Sequence, residues 1–447
     1  MANDNNTSKP FEWLNGGLFF GKQKGGIESV DSEKDVTALL SSISDNLEVV
    51  VLEERAAAAL LQDDPDIVEM EEPEESVNNN NNNNKNNKKP SQSKFLAARL
   101  ARLRFLLYDE RRMTSSQQDN NNSLQLRRAT PSVALAMVKA LSTAKLHTLI
   151  PKLIDNMQVL PFESRKHVAA CCNYLLVCGF EGNDRELYIP IMNAFRDYVA
   201  VNFDAIVTPI VNGYDSCDSG SSGSTDVVLH CGSLYRSCFR HLVLYRELVA
   251  TSERVAQYIF PFIDKHALLP NFDVSSDAME NLKLVMTAGG SDTSVLLSES
   301  EQRELSELAA AFLTRDYEPL WDQRFNPKLL SANANYMTKR VALQILSTVL
   351  LTRSNYAVMI KYVNSRANLI MVMKLLRDTS PHITLDAFHV FKVFVANPNK
   401  IPEVEKILRD NSQKLCSYLE TLHQDKEASD NQFAEEKKLI IATIRGL

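Results

Sequence analysis

The hydrophobic and polar positions along the chain follow the period of amphipathic α-helices. Apolar side chains recur at helical spacing in residues 36–61, 95–108 and 131–149, and this pattern predicts a helix in each range. Proline recurs between the later segments, where it can begin a helix but would break one in its interior. Clear alternation with a period of two residues is absent over any useful length. The sequence therefore predicts an all-α protein.

A second pattern repeats along the chain at near-constant spacing. At Ala342 a small residue is followed one, four, seven and eight positions later by Leu343, Leu346, Val349 and Leu350. The pattern recurs, completely or in part, at Ala169, Cys231, Ala278 and Ala387. Without the two loops that lie in the longer intervals, the origins recur about every 45 residues, a period in the armadillo/HEAT range. Each unit buries its apolar stripe on its neighbours, which predicts an armadillo/HEAT-like superhelix.

Low-complexity stretches interrupt the helical pattern. Residues 63–75 hold eight acidic side chains and no basic one, residues 78–84 are all asparagine, and residues 115–123 are rich in Ser, Gln and Asn. Such stretches bury too little apolar surface to offset their ordering entropy. For the acidic stretch, a functional tail is the alternative to a solvated insertion. We predict a flexible N-terminus (1–34) and one armadillo-like domain (35–447), with disordered insertions at about 63–94 and 113–129 and loops near 213–226 and 287–300.

Composition and charge narrow the class of protein. The chain has 447 residues, of which 44% are apolar and only 14 are glycine, a profile that suits a large helical core. Its net charge of −7 argues against nucleic acid as a partner. Its longest apolar runs are shorter than the roughly 18 residues of a membrane span, and its polar start does not resemble a signal peptide. Seven cysteines without a CxxC pair are typical of reduced thiols in a cytosolic or nuclear protein, and we expect a cytoplasmic location.

A search for catalytic residues leaves no candidate in the sequence. A phosphate-binding loop, the HExxH and GxSxG motifs and the kinase signatures are all missing. Cys231, Cys238 and His241 look like metal ligands, but residues seven apart on one helix lie about 10 Å apart along its axis, too far to share one zinc ion. We interpret them as buried structural residues. We therefore expect no enzyme activity, no cofactor and no metal site.

Residues suited to protein partners flank an apolar stripe at residues 341–351. Arg340 precedes the stripe, and Arg353 and Tyr356 follow it. Arginine and tyrosine often anchor interfaces. Alternatively, these residues only solvate helix ends, where cations are favourable at the C-terminus. Met373 lies in a further apolar run, where it is either core filler or the lining of a pocket.

One segment near the C-terminus points to a known family. The run Ala387-Phe-His-Val-Phe-Lys-Val-Phe-Val-Ala-Asn-Pro-Asn-Lys400 resembles the signature of the calcium-binding protein 39 family, also called the mouse protein twenty-five scaffolds. Further similar segments lie at residues 335–340, 359–362, 368–378 and 430–445. The N-terminal half is similar more loosely, at residues 19–22, 107–108, 160–163 and 240–241. The low-complexity insertions depart from the family and fall in loops.

The resemblance implies a right-handed, armadillo-like superhelix with a concave binding face. In the family this face binds a pseudokinase or a sterile-twenty-type protein kinase and stabilises its active conformation. The resemblance also implies a pocket for a Trp-Glu-Phe-like tail of the partner, and a master kinase in a ternary complex. The family's partner-binding residues fall in this chain on Arg340, Arg353, Tyr356 and Met373.

This chain departs from the family within the same stretch. Family members carry Lys at Gln344, Asp at Thr352, His at Ser354 and Phe at Tyr356. The tail pocket is basic in the family, so Gln344 in place of Lys weakens its hold on an acidic residue. We expect a non-enzymatic kinase scaffold. The alternative is a generic armadillo-type adaptor for trafficking or cell-polarity complexes without direct kinase activation.

Overall fold

The computed structural model describes residues 33–62, 92–109, 127–128, 131–179, 185–219, 224–288 and 297–447. In that part of the chain the regular structure is helical, apart from one antiparallel pair of two-residue strands, β1 (Tyr108–Asp109) and β2 (Arg127–Arg128). The predicted all-α class is confirmed.

The predicted N-terminal segment, insertions and loops lie mainly outside the described residues. At their edges, residues 33–34 and 92–94 are helical, and residues 127–128 form a strand. Within the loop predicted near 213–226, Gly213–Ser219 is a 3₁₀ helix and the next α-helix begins at Ser224. The helix that follows the loop predicted near 287–300 begins at Glu299.

Short turns, 3₁₀ segments and one π-helical segment lie between the helices wherever the connecting residues are described. In chain order the α-helices are α1 (Glu33–Gln62), α2 (Gln92–Leu107), α3 (Pro131–Leu141), α4 (Leu149–Asp155), α5 (Phe162–Val177), α6 (Arg185–Val201), α7 (Phe203–Asn212), α8 (Ser224–Phe239), α9 (Leu242–Leu248), α10 (Ser252–Tyr258), α11 (Phe260–Asp264), α12 (Phe272–Met286), α13 (Glu299–Arg315), α14 (Tyr336–Leu351), α15 (Tyr356–Val363), α16 (Arg366–Leu375), α17 (Pro381–Ala396), α18 (Pro402–Asp410), α19 (Ser412–Thr421), α20 (Gln424–Ser429) and α21 (Asn431–Arg445). The other segments are the 3₁₀ helices Gly213–Ser219, His266–Leu268 and Arg353–Asn355 and the π-helix Glu318–Leu329. Among the described helices, none is both long enough and apolar enough to cross a membrane.

Seven of the described helices form a row in which each packs on the next. In order they are α2, α5, α8, α12, α14, α17 and α21, and a second row contains α3, α6, α9, α13 and α15. The five repeat origins all lie in the first row, one in each of α5, α8, α12, α14 and α17, and each is at most 3% exposed. A small side chain at the origin lets the neighbouring helix approach closely, and bulky residues around it fill the interface. The two rows confirm the predicted armadillo/HEAT-like repeat.

The third predicted helix is shorter than its apolar pattern indicates. We predicted a helix over residues 131–149, whereas α3 ends at Leu141 and α4 begins at Leu149. The Ser142 hydroxyl donates a hydrogen bond to the Val138 carbonyl at 3.0 Å. The Ser142 backbone N–H donates to the same carbonyl at 3.1 Å, and the Thr143 N–H donates only three residues back, to the Ala140 carbonyl. The α-helical ladder therefore gives way to turns after Leu141, although the apolar pattern continues.

In the described part of the chain, two prolines lie inside α-helices, where the sequence pattern predicts a break. Pro190 lies within α6 and Pro209 lies within α7. A proline removes one backbone donor and clashes with the preceding turn. In α6 the neighbouring side chains Ile191, Met192 and Phe195 are at most 5% exposed, and their burial offsets the lost hydrogen bond. The prediction that these prolines bound their helices is therefore wrong.

Candidate partner-binding site

An open groove lies between α16 and α18. Its lining residues are Arg366, Ile370, Met373 and Lys374 of α16, Arg377 in the turn after α16, Ile407 of α18, and Asn411 just after α18. Ile370 follows Arg366 by four positions, and Met373 and Lys374 follow Ile370 by three and four positions, so these residues lie on one side of the helix. The groove has a volume of about 560 Å³, which falls within the roughly 300–1,000 Å³ of ligand-binding clefts.

The groove is basic at its rim and apolar at its floor. Arg366, Lys374 and Arg377 are exposed, whereas Met373 is half-buried and packs against the hydrophobic core. Within the described residues, no carboxylate lies at ion-pair distance from these three cations. A groove of this kind suits an apolar side chain carried by an acidic chain segment.

The first turn of α16 is held in place by hydrogen bonds. The Ser365 hydroxyl accepts from the Asn368 backbone N–H at 3.3 Å and caps the helix. The buried Asn368 side chain donates to the Tyr362 carbonyl at 3.1 Å and accepts from the Asn326 amide at 3.1 Å. The groove face is therefore presented by a helix whose start is fixed to the core.

Arg340 lies on α14 beside an acidic residue of the next helix in the row. Its Nε is 3.6 Å from Asp386 Oδ2 on α17, and one terminal nitrogen donates to the Tyr336 hydroxyl at 3.4 Å. The Gln344 side-chain amide donates to the same Asp386 oxygen at 3.4 Å. Burial raises the pKa of Asp386, and the Arg340 guanidinium opposes that rise. The charge of Arg340 is thus matched by a carboxylate of the protein itself.

Arg353 lies in the short turn between α14 and α15, and Tyr356 is the first residue of α15. Both side chains are exposed, that of Tyr356 to 62%. The buried Asn355 anchors the turn, because its amide donates to the Val349 carbonyl at 3.0 Å. Ser354 borders a second open concavity of about 610 Å³. The other residues of this concavity, all on α13, are Glu307, Ala310, Ala311, Thr314 and Arg315.

The structure divides the four candidate residues among three places. Met373 lines the groove, Arg340 lies against α17, and Arg353 and Tyr356 lie in and directly after the turn beside the second concavity. The sequence analysis missed the groove's cations, Arg366, Lys374 and Arg377. The helical period that places Arg366 and Lys374 on one side of α16 with Met373 was the signal that could have found those two.

The residues that resemble metal ligands are buried in the core. Cys231 and Cys238 of α8 are at most 2% exposed, and burial raises the pKa of the Cys231 thiol to about 12. The His241 Nε2 lies 2.7 Å from the Leu176 carbonyl oxygen, and burial lowers the pKa of His241 to about 4. Across the described ranges, no three His, Cys, Asp or Glu side chains form a metal-binding group. We interpret these residues as structural.

Comparison with known proteins decides the family. The family model described as Mo25-like matches residues 64–447. The chain belongs to the Mo25-like family. It is 31% identical over 299 residues to a Homo sapiens protein named calcium-binding protein 39-like. That match covers 67% of this chain and 76% of the human protein. It is 34% identical over 301 residues to the degreening-related gene dee76 protein of Auxenochlorella protothecoides, covering 66% of this chain and 78% of that protein.

The Mo25-like match confirms the resemblance found in the C-terminal segments. A solved structure of a designed armadillo repeat protein covers 69% of this chain and 96% of its own, at 13% identity and a TM-score of 0.31. That likeness is too weak to carry the fold, so the armadillo-like assignment of this Mo25-like protein rests on its rows of helices. The Mo25-like family is generally non-catalytic and works with protein partners.

Proposed function

We propose that this protein is a non-enzymatic cytoplasmic scaffold that binds a pseudokinase or a sterile-twenty-type protein kinase on its concave face. The scaffold stabilises the active conformation of that kinase and joins it to a master kinase in a ternary complex. The observation that carries the proposal is the groove at Met373 in a member of the Mo25-like family. An apolar floor inside a rim of three cations fits the Trp-Glu-Phe-like tail that the resemblance predicts for the partner.

The four candidate residues have separate roles in this proposal. Met373 contacts the apolar side chains of the tail. Arg353 and Tyr356, both exposed, contact the folded body of the kinase, because arginine and tyrosine are residue types that often anchor interfaces. Arg340 contributes to the partner-facing surface of α14.

The scaffold acts by preferential binding in this proposal. A rigid surface that contacts the kinase better in its closed conformation shifts the population towards that state. A shift from 1:99 to 99:1 needs a differential affinity of about 5.5 kcal/mol. Such a difference requires an interface of at least standard size, about 1,600 Å² in total. A long row of stacked helices offers a continuous surface of this extent.

Kinase stimulation tests the proposal. The activity of a purified sterile-twenty-type kinase from the same organism is measured with and without the full chain. We expect stimulation by the wild-type chain, and about tenfold weaker kinase binding by Met373→Ala because the truncation removes an apolar contact. Met371→Ala is the matched control, since Met371 is also a half-buried methionine of α16 but does not line the groove.

Two results would count against the proposal. No stimulation of any such kinase by the wild-type chain would refute activation. Equal losses in Met373→Ala and Met371→Ala would refute the assignment of Met373 to the tail. Enrichment of transport receptors instead of kinases in an affinity purification from native cells would favour the generic adaptor.

A further inference from the structure

The outer sides of the first two helices carry exposed apolar side chains. Val49 and Leu52 of α1 and Phe95 and Phe105 of α2 are all exposed, Leu52 to 65%. Single exposed apolar residues are ordinary on a protein surface, whereas a group of them on neighbouring elements marks an interaction site. These four lie on two helices that pack against each other. Together they form an apolar patch that no other described element covers.

Charged residues of opposite sign accompany the patch on the two helices. Exposed residues three or four positions apart form one strip along each helix. The acidic strip of α1 is Asp45, Glu48, Val49, Leu52 and Glu53. The basic strip of α2 is Lys94, Phe95, Ala98, Arg102 and Phe105. α2 contains four basic residues and no acidic one, whereas residues 34–53 of α1 contain four acidic residues and one basic one.

The two strips lie side by side on one outer surface. The Asn46 side-chain amide donates to the Gln92 side-chain oxygen at 2.9 Å, and Arg99 donates to the Asn46 side-chain oxygen. Asn46 follows Asp45 and Arg99 follows Ala98, so these bonds join the edges of the two strips. The other side of each helix faces the core, because α1 packs on α3 and α2 packs on α5. The strips therefore form one surface that is negative on one half and positive on the other.

Most of the charges in the two strips lack an opposite charge nearby. Glu48 is already paired with a lysine of α4 at 2.8 Å. In the described ranges, none of the other four charges of the strips has an opposite charge at ion-pair distance. An interface that brings an opposite charge to these four gains electrostatic complementarity without breaking an existing ion pair.

A surface with both signs of charge side by side restricts what can cover it. A membrane of anionic lipids would be attracted by the basic strip and repelled by the acidic strip next to it, and so would a nucleic acid. A second copy of this chain has both signs at the same spacing. If that copy is turned by 180° about an axis that runs between α1 and α2, its acidic strip lies on the basic strip of the first copy, and the reverse. The apolar residues of each strip then lie opposite those of the other.

We propose that this protein forms a two-fold symmetric dimer in which the acidic strip of one copy lies on the basic strip of the other. α2 has 16 residues. It is therefore about 24 Å long, and two helices side by side are about 20 Å wide, so each copy contributes roughly 500 Å². A standard interface buries about 800 Å² per partner. The dimer is therefore weak and depends on concentration. This inference goes beyond the proposed function and does not depend on it.

Sedimentation equilibrium of the full chain tests the inference directly. We expect a monomer–dimer equilibrium with a dissociation constant on the order of 10–100 μM. Raising the ionic strength from about 0.1 M to about 0.5 M shortens the Debye length and is expected to weaken the dimer severalfold. A chain that stays monomeric up to about 300 μM would overturn the inference.

A leucine substitution tests the apolar part of the interface. Leu52→Ser is expected to weaken the dimer about tenfold, because each dimer loses two apolar contacts. Leu439→Ser is the matched control, since Leu439 of α21 is exposed to 67% but lies outside both strips. It is expected to leave the dissociation constant unchanged. Equal effects of the two substitutions would overturn the inference.

Charge reversal tests the pairing of the strips. A first variant carries Lys94→Glu with Arg102→Glu, and a second variant carries Asp45→Lys with Glu53→Lys. Each variant alone is expected to dimerise at least about tenfold more weakly, because like charges then face each other in both halves of the interface. In an equimolar mixture, each half of a heterodimer again has opposite charges, so we expect an affinity close to that of the wild-type chain. Energy transfer between differently labelled chains measures it, and no recovery in the mixture would overturn the pairing.

Vesicle binding separates the dimer from a membrane contact. The probe is a vesicle of phosphatidylserine and phosphatidylcholine, and its binding is measured by co-sedimentation. A membrane that covers the basic strip would bind the second variant more tightly than the wild-type chain and would not bind the first variant. That result, together with a wild-type chain that stays monomeric, would identify a membrane as the occupant and overturn the inference. Equal and negligible vesicle binding by all three chains, with dimerisation of the wild-type chain, is the expected result.

Discussion

A buried cluster of polar residues joins α8 to α12 and to the 3₁₀ helix before α8. The Asp277 carboxylate accepts a hydrogen bond from the Tyr214 hydroxyl. It accepts a second one from Arg236, at 2.7 Å. The Asn281 amide donates to the Tyr214 hydroxyl at 2.6 Å. Burial raises the pKa of Tyr214, and the Asp277 charge adds to that rise. Because each polar group has a partner, the cluster avoids the cost of buried unsatisfied groups. The absence of a side chain at Gly232 leaves space for it.

Gly232→Ala is expected to destabilise the fold. A methyl group at residue 232 would overlap the Asp277 carboxylate and the Tyr214 hydroxyl, and overpacking of this kind costs about 1–3 kcal/mol. Chemical denaturation followed by circular dichroism measures the change in the free energy of unfolding. Gly446→Ala is the control, because a methyl group there meets its nearest neighbour at an ordinary 3.6 Å. Equal stability of the two variants would contradict this account of the cluster.

At the scale of elements, a buried lysine ties the last helix to the segment before it. The Lys437 ammonium of α21, only 2% exposed, donates to the carbonyls of Glu420 (3.2 Å) and Leu422 (2.9 Å) and to the Glu427 carboxylate (2.6 Å). Carbonyls at the end of a helix lack partners within that helix. Lys437 therefore provides the hydrogen-bond donor that the carbonyls at the end of α19 lack. Its ion pair with Glu427 attaches α20 to α21.

Lys437→Met is expected to loosen this C-terminal unit. The substitution keeps the apolar stem but leaves two carbonyls and one carboxylate without their donor, at a cost of about 2 kcal/mol. Hydrogen exchange of α19 to α21 should speed up before exchange elsewhere does. Lys438→Met, at an exposed neighbouring position, should leave exchange unchanged. Unchanged exchange in Lys437→Met would show that packing alone holds α20.

The elements also show how far local pattern reaches. Helices α1 and α2 agree with their predicted ranges, apart from a few additional residues at their starts. They agree because the apolar spacing that predicts each helix is unbroken. The predicted third helix divides in two, because residues 142–148 form turns within the same apolar pattern. Pro190 has the opposite effect, because the burial of its neighbours keeps α6 intact. In α6, the burial of neighbouring side chains thus overrules the local preference of proline.

At the scale of the whole molecule, buried histidines make the row of helices sensitive to acid. His167 of α5, His230 of α8 and His241 after α8 are at most 9% exposed. Burial lowers the pKa of all three, to about 4 for His167 and His241. The unfolded value is about 6.5. Because the folded pKa lies below the unfolded one, the contribution of these histidines to the free energy of unfolding is complete above pH 6.5. That contribution is lost as the pH falls towards 4.

The free energy of unfolding is therefore expected to fall between pH 6.5 and pH 4. His167→Leu should flatten part of this dependence, because it removes a titrating group whose Nδ1 has no partner among the described residues. Denaturation curves at several pH values measure the slopes. The same slope in wild type and His167→Leu would rule His167 out as a source of the acid sensitivity.

The candidate site was only partly predictable from the sequence. Met373 and Arg340 were chosen from a family motif, and the structure places them in different surroundings. Arg366 and Lys374 share a face of α16 through helical spacing alone, so the sequence contains that information. The partner of Arg340 is 46 positions away at Asp386, and no local pattern connects the two.

The helical class and the repeat near 45 residues were determined by the sequence itself. Both depend on spacings within one helix or between adjacent units, and burial of an apolar stripe requires those spacings in any arrangement of the helices. The groove between Met373 and Ile407, and the neutral charge of the pair formed by Arg340 and Asp386, were decided by the tertiary structure. Which side chains meet across two helices depends on their rotation and offset when they stack. Those quantities follow from the packing of the whole row.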